Sequence, residues 1–209
     1  MPGQVSDCWR AAWAALGGVP APGLLETLWA AYAEPHRRYH TQQHLSECLA
    51  LAVRDAGLAS HPAEVTLALW FHDAVYDLHR HDNEAASAAW AAAAMREAGV
   101  PEDACARVQA CVMATRHDVV AWTPDARLVV DIDLAILGAA PARFAEYDAQ
   151  IRDEFAFVPV AVFRAKREAV LRSFLDRPAI YATPAYRERF EAQARANLAE
   201  AIGRLAEGA

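Results

Sequence analysis

The side chains best suited to chemistry fall in three short segments. In the first, Arg37-Arg38-Tyr39-His40-Thr41-Gln42-Gln43-His44, two histidines stand four apart. If a helix reaches back to His40, both imidazoles lie on one face about 6 Å apart, a spacing that can hold a metal ion. A polar cluster at a helix start has the same composition. In the second, Leu69-Trp70-Phe71-His72-Asp73-Ala74-Val75-Tyr76-Asp77, an imidazole and a carboxylate interrupt a strongly apolar run. An ionised aspartate inside such a helix costs several kcal/mol, roughly, unless it is paired or bound to a metal. Adjacent helical residues point about 100° apart, and a borderline cation between them accepts one imidazole nitrogen and one carboxylate oxygen. A buried His-Asp hydrogen-bonded pair is the simpler alternative. In the third, Leu128-Val129-Val130-Asp131-Ile132-Asp133-Leu134-Ala135-Ile136-Leu137-Gly138, two carboxylates interrupt another apolar run. Residues two apart face nearly opposite sides of a helix, so one aspartate turns to the core or a metal and the other caps, pairs or meets solvent. Together the three segments hold the parts of one octahedral site with positions left open for water.

Helices must position these groups. Prolines at 62, 101, 141, 159 and 184 each precede an apolar pattern of helical period, and glycines at 17, 57, 99 and 138 stand where helices would stop. The pattern predicts helices over 6–16, 22–34, 41–56, 62–78, 82–98, 101–116, 125–137, 141–155, 159–176 and 184–206. Within 41–56, Leu45, Cys48, Leu49 and Ala52 follow the i, i+3, i+4, i+7 rule. Alternating strands bounded by Asn-Gly or Asp-Gly turns are missing, and Leu128-Val129-Val130, the one β-like stretch, reads as a buried helix start. The expected architecture is an all-α, single-domain helical bundle over 1–209, with connections too short for a second domain.

Composition narrows the function. A net charge of -7 argues against a nucleic-acid binder, which would need a basic face. It leaves room for an anionic small substrate, because a metal cation and a few arginines reverse the potential inside a cleft. No run of about 18 uncharged apolar residues suggests a membrane span, and residues 1–7 lack the features of a signal peptide. The expected location is the cytoplasm. The four cysteines, Cys8, Cys48, Cys105 and Cys111, form no C-x-x-C pair and read as reduced, buried thiols, not as a structural zinc site.

The order His … His-Asp … Asp resembles the HD superfamily of metal-dependent phosphohydrolases. His44, followed by Leu45-Ser46-Glu47-Cys48-Leu49-Ala50, is similar to that family's first ligand helix; His72-Asp73 resembles its signature pair, and Asp133 before Leu134 resembles its last ligand. Ile132 stands where the family has a small residue, so Asp131 competes with Asp133. A narrower resemblance, to a bacterial subgroup of predicted HD phosphohydrolases, runs from about 32 to 200. It is carried by Tyr39-His40, His44, His72-Asp73-Ala-Val-Tyr76-Asp77, Asn83-Glu84-x-x-Ser87-Ala88, Thr115-x-His117, Asp131-x-Asp133-Leu-Ala-Ile-Leu-Gly138, Tyr147, Ile151-Arg152-x-Glu154-Phe155 and Ala194-Arg195-x-Asn197-Leu198.

The resemblance implies hydrolysis of a phosphate ester or anhydride, of a nucleotide or similar small phosphorylated metabolite, by a divalent ion such as Mn²⁺, Mg²⁺, Co²⁺, Ni²⁺, Zn²⁺ or Fe²⁺. It assigns His44, His72, Asp73 and Asp133 as ligands, with His40 and Asp131 in reserve. Candidates for a general acid or base are Asp77, one helical turn after Asp73, and Glu84, which as a first-turn residue also complements the helix dipole. His117 is a candidate donor to phosphate or a leaving group. Arg37, Arg38, Arg152 and Arg167 are candidate phosphate clamps, although arginine is abundant here and Lys166 is the sole lysine. Trp122 in a connecting loop is a candidate to stack on a base, and the apolar face of the last helix makes a homodimer one candidate assembly. Two rival readings remain: a metal- and nucleotide-binding sensor without catalysis, and a two-iron oxygenase, which needs more histidine ligands than His117 supplies.

Overall fold

A computed structural model describes residues 3–117 and 123–207. Trp122 lies outside the described residues. Every regular element among them is helical. The chain divides into two compact units, 1–133 and 134–209.

The first unit holds α1 (Gly3–Leu16), α2 (Leu24–Ala31), α3 (Gln42–Arg54), a 3₁₀ turn (Ala56–Leu58), α4 (Pro62–Phe71), α5 (Asn83–Glu97), α6 (Glu102–Ala114) and α7 (Pro124–Asp133). α4 is its central element, packed against α1, α3, α5, α6 and α7. The sequence explains the position: α4 is apolar all round, and every residue from Glu64 to Phe71 is buried. Trp70 meets the edge of Trp9 from α1 at a ring distance of 5.1 Å. α5 and α6 are joined by a turn at Gly99, whose φ of 80° is the left-handed geometry that glycine adopts without strain. The paired bonds from Val100 N–H to the Met95 carbonyl and from Gly99 N–H to Arg96 complete the helix stop there.

Two helices end at least four residues earlier than periodicity predicts. The helix expected over 62–78 stops at Phe71, and His72 to Val75 form an irregular turn. No proline or glycine marks this stop; tertiary partners make it. The Tyr32 hydroxyl donates to the Trp70 carbonyl (3.1 Å) and accepts the Asp73 N–H (3.2 Å). Arg37 donates to the carbonyls of Asp73 (2.7 Å) and Ala74 (3.2 Å), and Ser87 Oγ accepts the Val75 N–H (3.0 Å). Backbone groups that would have continued the helix are therefore satisfied elsewhere. Likewise, the helix expected over 125–137 ends at Asp133 and tightens into a 3₁₀ segment, Leu134–Gly138.

The second unit contains that 3₁₀ segment with α8 (Pro141–Glu154), α9 (Val160–Leu175) and α10 (Pro184–Glu207). Two residues singled out by sequence, Asn197 and Gly138, are structural here. Asn197 on α10 donates to the carbonyls of Leu137 (2.8 Å) and Ala139 (2.9 Å), and Tyr181 donates to Leu134 (3.0 Å). Gly138 lies so close to α10 that a Cβ would come within 2.7 Å of Phe190. No helix among the described residues is long and apolar enough to cross a membrane.

Candidate metal centre

His44 lies on the buried face of α3 with Leu45, Cys48, Leu49 and Ala52. α3 begins at Gln42, with the Thr41 side chain accepting the Gln43 N–H. His40 therefore precedes the helix and does not share a helical face with His44, contrary to the four-residue argument. Its ring packs instead on Tyr76 at 4.3 Å, with the His44 ring 5.9 Å away.

His72 follows the last residue of α4. Its Nδ1 lies 2.7 Å from the Leu69 carbonyl. A carbonyl only accepts, so Nδ1 carries the proton and the neutral ring presents the Nε2 lone pair to the centre of the unit. That atom is 3.1 Å from His44 Nε2, 3.1 Å from Asp73 Oδ2 and 3.6 Å from Asp133 Oδ1. His44 Nε2 in turn is 3.2 Å from Asp133 Oδ1 and 3.7 Å from Asp73 Oδ2. Two imidazole nitrogens and two carboxylate oxygens thus converge, and each can offer a lone pair to a cation.

A positive charge at their meeting point would be stabilised by all four. A divalent ion with bonds of about 2.0–2.2 Å holds neighbouring ligand atoms about 3.0–3.6 Å apart, depending on coordination number, and the observed separations of 3.1–3.7 Å match those edges. Without a metal, protons take its place. Burial alone would push the His72 imidazole down, but the Asp73 and Asp133 carboxylates hold it well above the ordinary histidine range. Burial would raise both carboxyls. For Asp73 the His72 and His40 imidazoles outweigh it, and for Asp133 hydrogen bonds from His117, His44 and His72 do so, leaving both below the usual carboxylate range. The histidines are sealed, with side-chain exposures of 2% and 1%, whereas Asp73 and Asp133 keep 17% and 14%, so the cluster opens to solvent on its carboxylate side.

The carboxylate that α7 contributes is Asp133. Asp131, its competitor in the sequence, is fully buried two residues earlier, on the nearly opposite side of the helix. His117 Nε2 lies 3.1 Å from Asp133 Oδ2. Its φ of 59° is the one positive value among described residues other than glycine. Such a conformation costs on the order of 1–3 kcal/mol and recurs at functional sites.

The other sequence candidates are placed differently. Arg37 is 3% exposed, and its five N–H donors find internal acceptors: the Glu34 carboxylate through Nε and Nη2, the His40 and Asp73 carbonyls through Nη1, and Ala74 through Nη2. Its guanidinium lies between the Tyr32 and Tyr76 rings at 5.1 and 5.3 Å. Arg37 is thus committed to holding the turn that carries His72 and Asp73, not to clamping a phosphate. Arg38 is exposed. Arg152 donates to the carbonyls of Phe155 and Val158 at the end of its own helix, and Arg167 to Asp148 and Tyr147. With α4 ending at Phe71, Asp77 is not one helical turn past Asp73. It is exposed, accepts the His79 N–H, and lines a depression of about 860 Å³ with Tyr76, His79 and Trp90, a depression no cluster residue borders. Glu84 occupies the first turn of α5.

Two participants escaped the sequence reading. Tyr32, an apolar-looking member of α2's end, fixes the His72-Asp73 turn by the bonds given above. Cys48 Sγ lies 3.7 and 3.8 Å from the two His44 ring nitrogens. Ligand atoms of His44, Cys48, His72 and Asp133 all lie within 4.8 Å of one another, an arrangement that could hold a metal ion. The available signal was its spacing, one helical turn after His44. Burial, with Asp133 and Asp73 nearby, pushes the Cys48 thiol well up.

No model of a known protein family, no curated protein and no solved structure matches the chain.

Proposed function

We propose that the protein is a metal-dependent phosphohydrolase of the HD type, cleaving a phosphate ester or anhydride in a nucleotide or similar small metabolite. The observation that carries this reading is the convergence of ligand-capable atoms of His44, His72, Asp73 and Asp133, at 3.1–3.7 Å from one histidine nitrogen or the other. The order of these residues resembles the HD superfamily, and a structural site closed on all sides would not leave its carboxylates open to solvent. Four free cysteines accord with work in the reducing cytoplasm.

A bound divalent ion would activate water and shield phosphoryl charge. The chain's own residues do the rest. His72 is locked as the Nδ1–H tautomer by Leu69, which keeps Nε2 available as a ligand. Arg37 and Tyr32 hold the turn so that Asp73 faces the cluster. His117 orients Asp133 through its second carboxylate oxygen and stands at the open side, where it can donate a proton to a departing oxygen. Glu84 remains a candidate base, and Arg38 the exposed candidate for phosphate among the arginines of the first segment.

The test is phosphate and pyrophosphate release from a panel of nucleotides and phosphorylated metabolites with Mn²⁺, Mg²⁺, Co²⁺ or Ni²⁺, comparing the native protein with Asp73→Ala. Activity that requires metal and vanishes in the variant supports the proposal. One bound metal per chain with no turnover across the panel points instead to a metal- and nucleotide-binding sensor.

A further inference from the structure

The centre offers two different fourth ligands around three shared ones. His44, His72 and Asp133 belong to both sets. Asp73 completes a hard set of two nitrogens and two oxygens, with its Oδ2 3.1 Å from His72 Nε2. Cys48 completes a softer one, with its Sγ 3.8 Å from His44 Nε2 and within 4.8 Å of the His72 and Asp133 ligand atoms. We propose that Cys48 is a metal ligand, and that His44, Cys48, His72 and Asp133 make this centre selective for a thiophilic divalent cation of the zinc or cobalt(II) class. The inference rests on the cluster being a metal site, but not on the reaction it performs.

Geometry and chemistry agree on this. A cation bound by sulfur at about 2.3 Å and by nitrogen at about 2.0 Å holds those two atoms about 3.5 Å apart in a tetrahedral site. The observed distance from Cys48 Sγ to His44 Nε2, the nitrogen that faces the cluster, is 3.8 Å, within a few tenths of that value. The thiol is 2% exposed, so it is shielded from solvent oxidants and from exchange with other thiols. It sits one helical turn after His44, on the same face of α3, so one rigid element delivers both donors. On binding, the Cys48 S–H bond breaks, sulfur keeps the electron pair that it gives to the cation, and the proton leaves to solvent. Imidazole and thiolate favour zinc and cobalt(II), whereas Mg²⁺ takes oxygen ligands and keeps several waters. A magnesium ion would therefore use Asp73, and zinc would recruit Cys48. The other three cysteines are not in the cluster.

The experiment is X-ray absorption spectroscopy on native protein loaded with Zn²⁺ or Co²⁺, with no substrate present. It is paired with the near-ultraviolet thiolate-to-cobalt band and metal titrations of native, Cys48→Ser and Cys111→Ser proteins. The expected result is one sulfur neighbour at about 2.3 Å and a charge-transfer band, both retained in Cys111→Ser and lost in Cys48→Ser. Zinc affinity should fall in Cys48→Ser by about 100-fold or more, at or past the upper end of what outer partners of a site cost, while magnesium affinity stays unchanged. A native spectrum with nitrogen and oxygen neighbours only overturns the proposal, even if Cys48→Ser does not fold. So does a sulfur signal that survives in folded Cys48→Ser. Nitrogen-oxygen ligation with phosphate release would leave the hydrolase reading standing alone. Sulfur ligation without turnover would leave the ligand assignment standing alone.

Discussion

The two ends of α4 treat buried charge in opposite ways. At the N-terminal end, Glu64 is 3% exposed and meets the forked guanidinium of Arg107 at 2.7 Å through each oxygen. Nearby, Asp125 accepts the Ser60 and His61 N–H groups and faces His61 Nδ1 at 2.9 Å. Every carboxylate there has donors. At the C-terminal end the backbone is equally well served, by Tyr32 and Arg37, but the side chains are matched differently: Asp73 and Asp133 meet the imidazoles of His72, His44 and His117 at 3.1–3.7 Å, rings that can give up a proton and become metal ligands. The imidazole-carboxylate group at the C-terminal end could hold a metal ion, whereas the N-terminal carboxylates are engaged by arginine and backbone donors. The contrast separates structural ion pairs from a candidate site without any appeal to a relative.

Substitutions should divide along the same line. The largest effect is expected from Asp133→Ala, which removes a ligand and the partner of His117. Metal-dependent phosphate release should fall by about 10³-fold or more, since a bound metal supplies several kcal/mol of transition-state stabilisation. The melting temperature of metal-free protein should fall modestly, because His117, His44 and His72 lose the carboxylate to which they hydrogen-bond. A large loss of metal-free stability would mean that the cluster is an ordinary structural network. Next in size is Arg37→Gln, expected to cost about 3 kcal/mol in denaturant unfolding, because buried carbonyls and Glu34 lose their donor. It should also weaken metal binding by about 10–100-fold, as outer partners of metal ligands do; unchanged metal affinity would remove Arg37 from the site's support. Arg107→Ala tests the matched end. Its guanidinium is one-third exposed, so leaving Glu64 unpaired should cost only about 1–2 kcal/mol, with metal affinity and turnover untouched.

The smallest effect is a slope in stability with pH, measured on metal-free protein. The His72 pKa is raised on folding, so its contribution is complete below about pH 6.5, the unfolded value, and is lost as pH rises through the folded one. The Asp73 and Asp133 pKa values are lowered, so their contribution is present above about pH 3.9 and is lost on acidification below it. Metal-free protein should therefore be most stable between these limits and weaken toward alkaline pH. Saturating zinc should reverse the alkaline slope, because the ligands must be deprotonated to bind. An identical slope with and without metal would show that His72 does not meet the ion.

Part of this was legible in the sequence. Proline and glycine positions and 3.6-residue periodicity pointed to an all-helical chain, because these signals act through local backbone geometry. The unusual placing of His72, Asp73 and Asp133 in apolar runs drew attention to residues that the structure brings together with His44, because burying such groups is costly wherever the chain goes. Local signals misled where remote partners intervened. Nothing within 72–78 breaks a helix, yet Arg37 and Tyr32, more than thirty residues earlier, capture the carbonyls that would have extended it. Arg37 looked available for phosphate because a sequence does not show that five donors are already used.

By itself, then, the sequence determined helix content, the inventory of donors and acceptors, and the order in which they occur, since propensity and burial cost are properties of residues and near neighbours. Only the tertiary structure decided that α7 presents Asp133 to the group and that α4 stops one residue before His72. It also decided that Cys48 joins the histidines and that the start of α3 meets the end of α4. Those outcomes depend on atoms a few ångströms apart whose residues are tens of positions apart, and no local preference encodes such a distance.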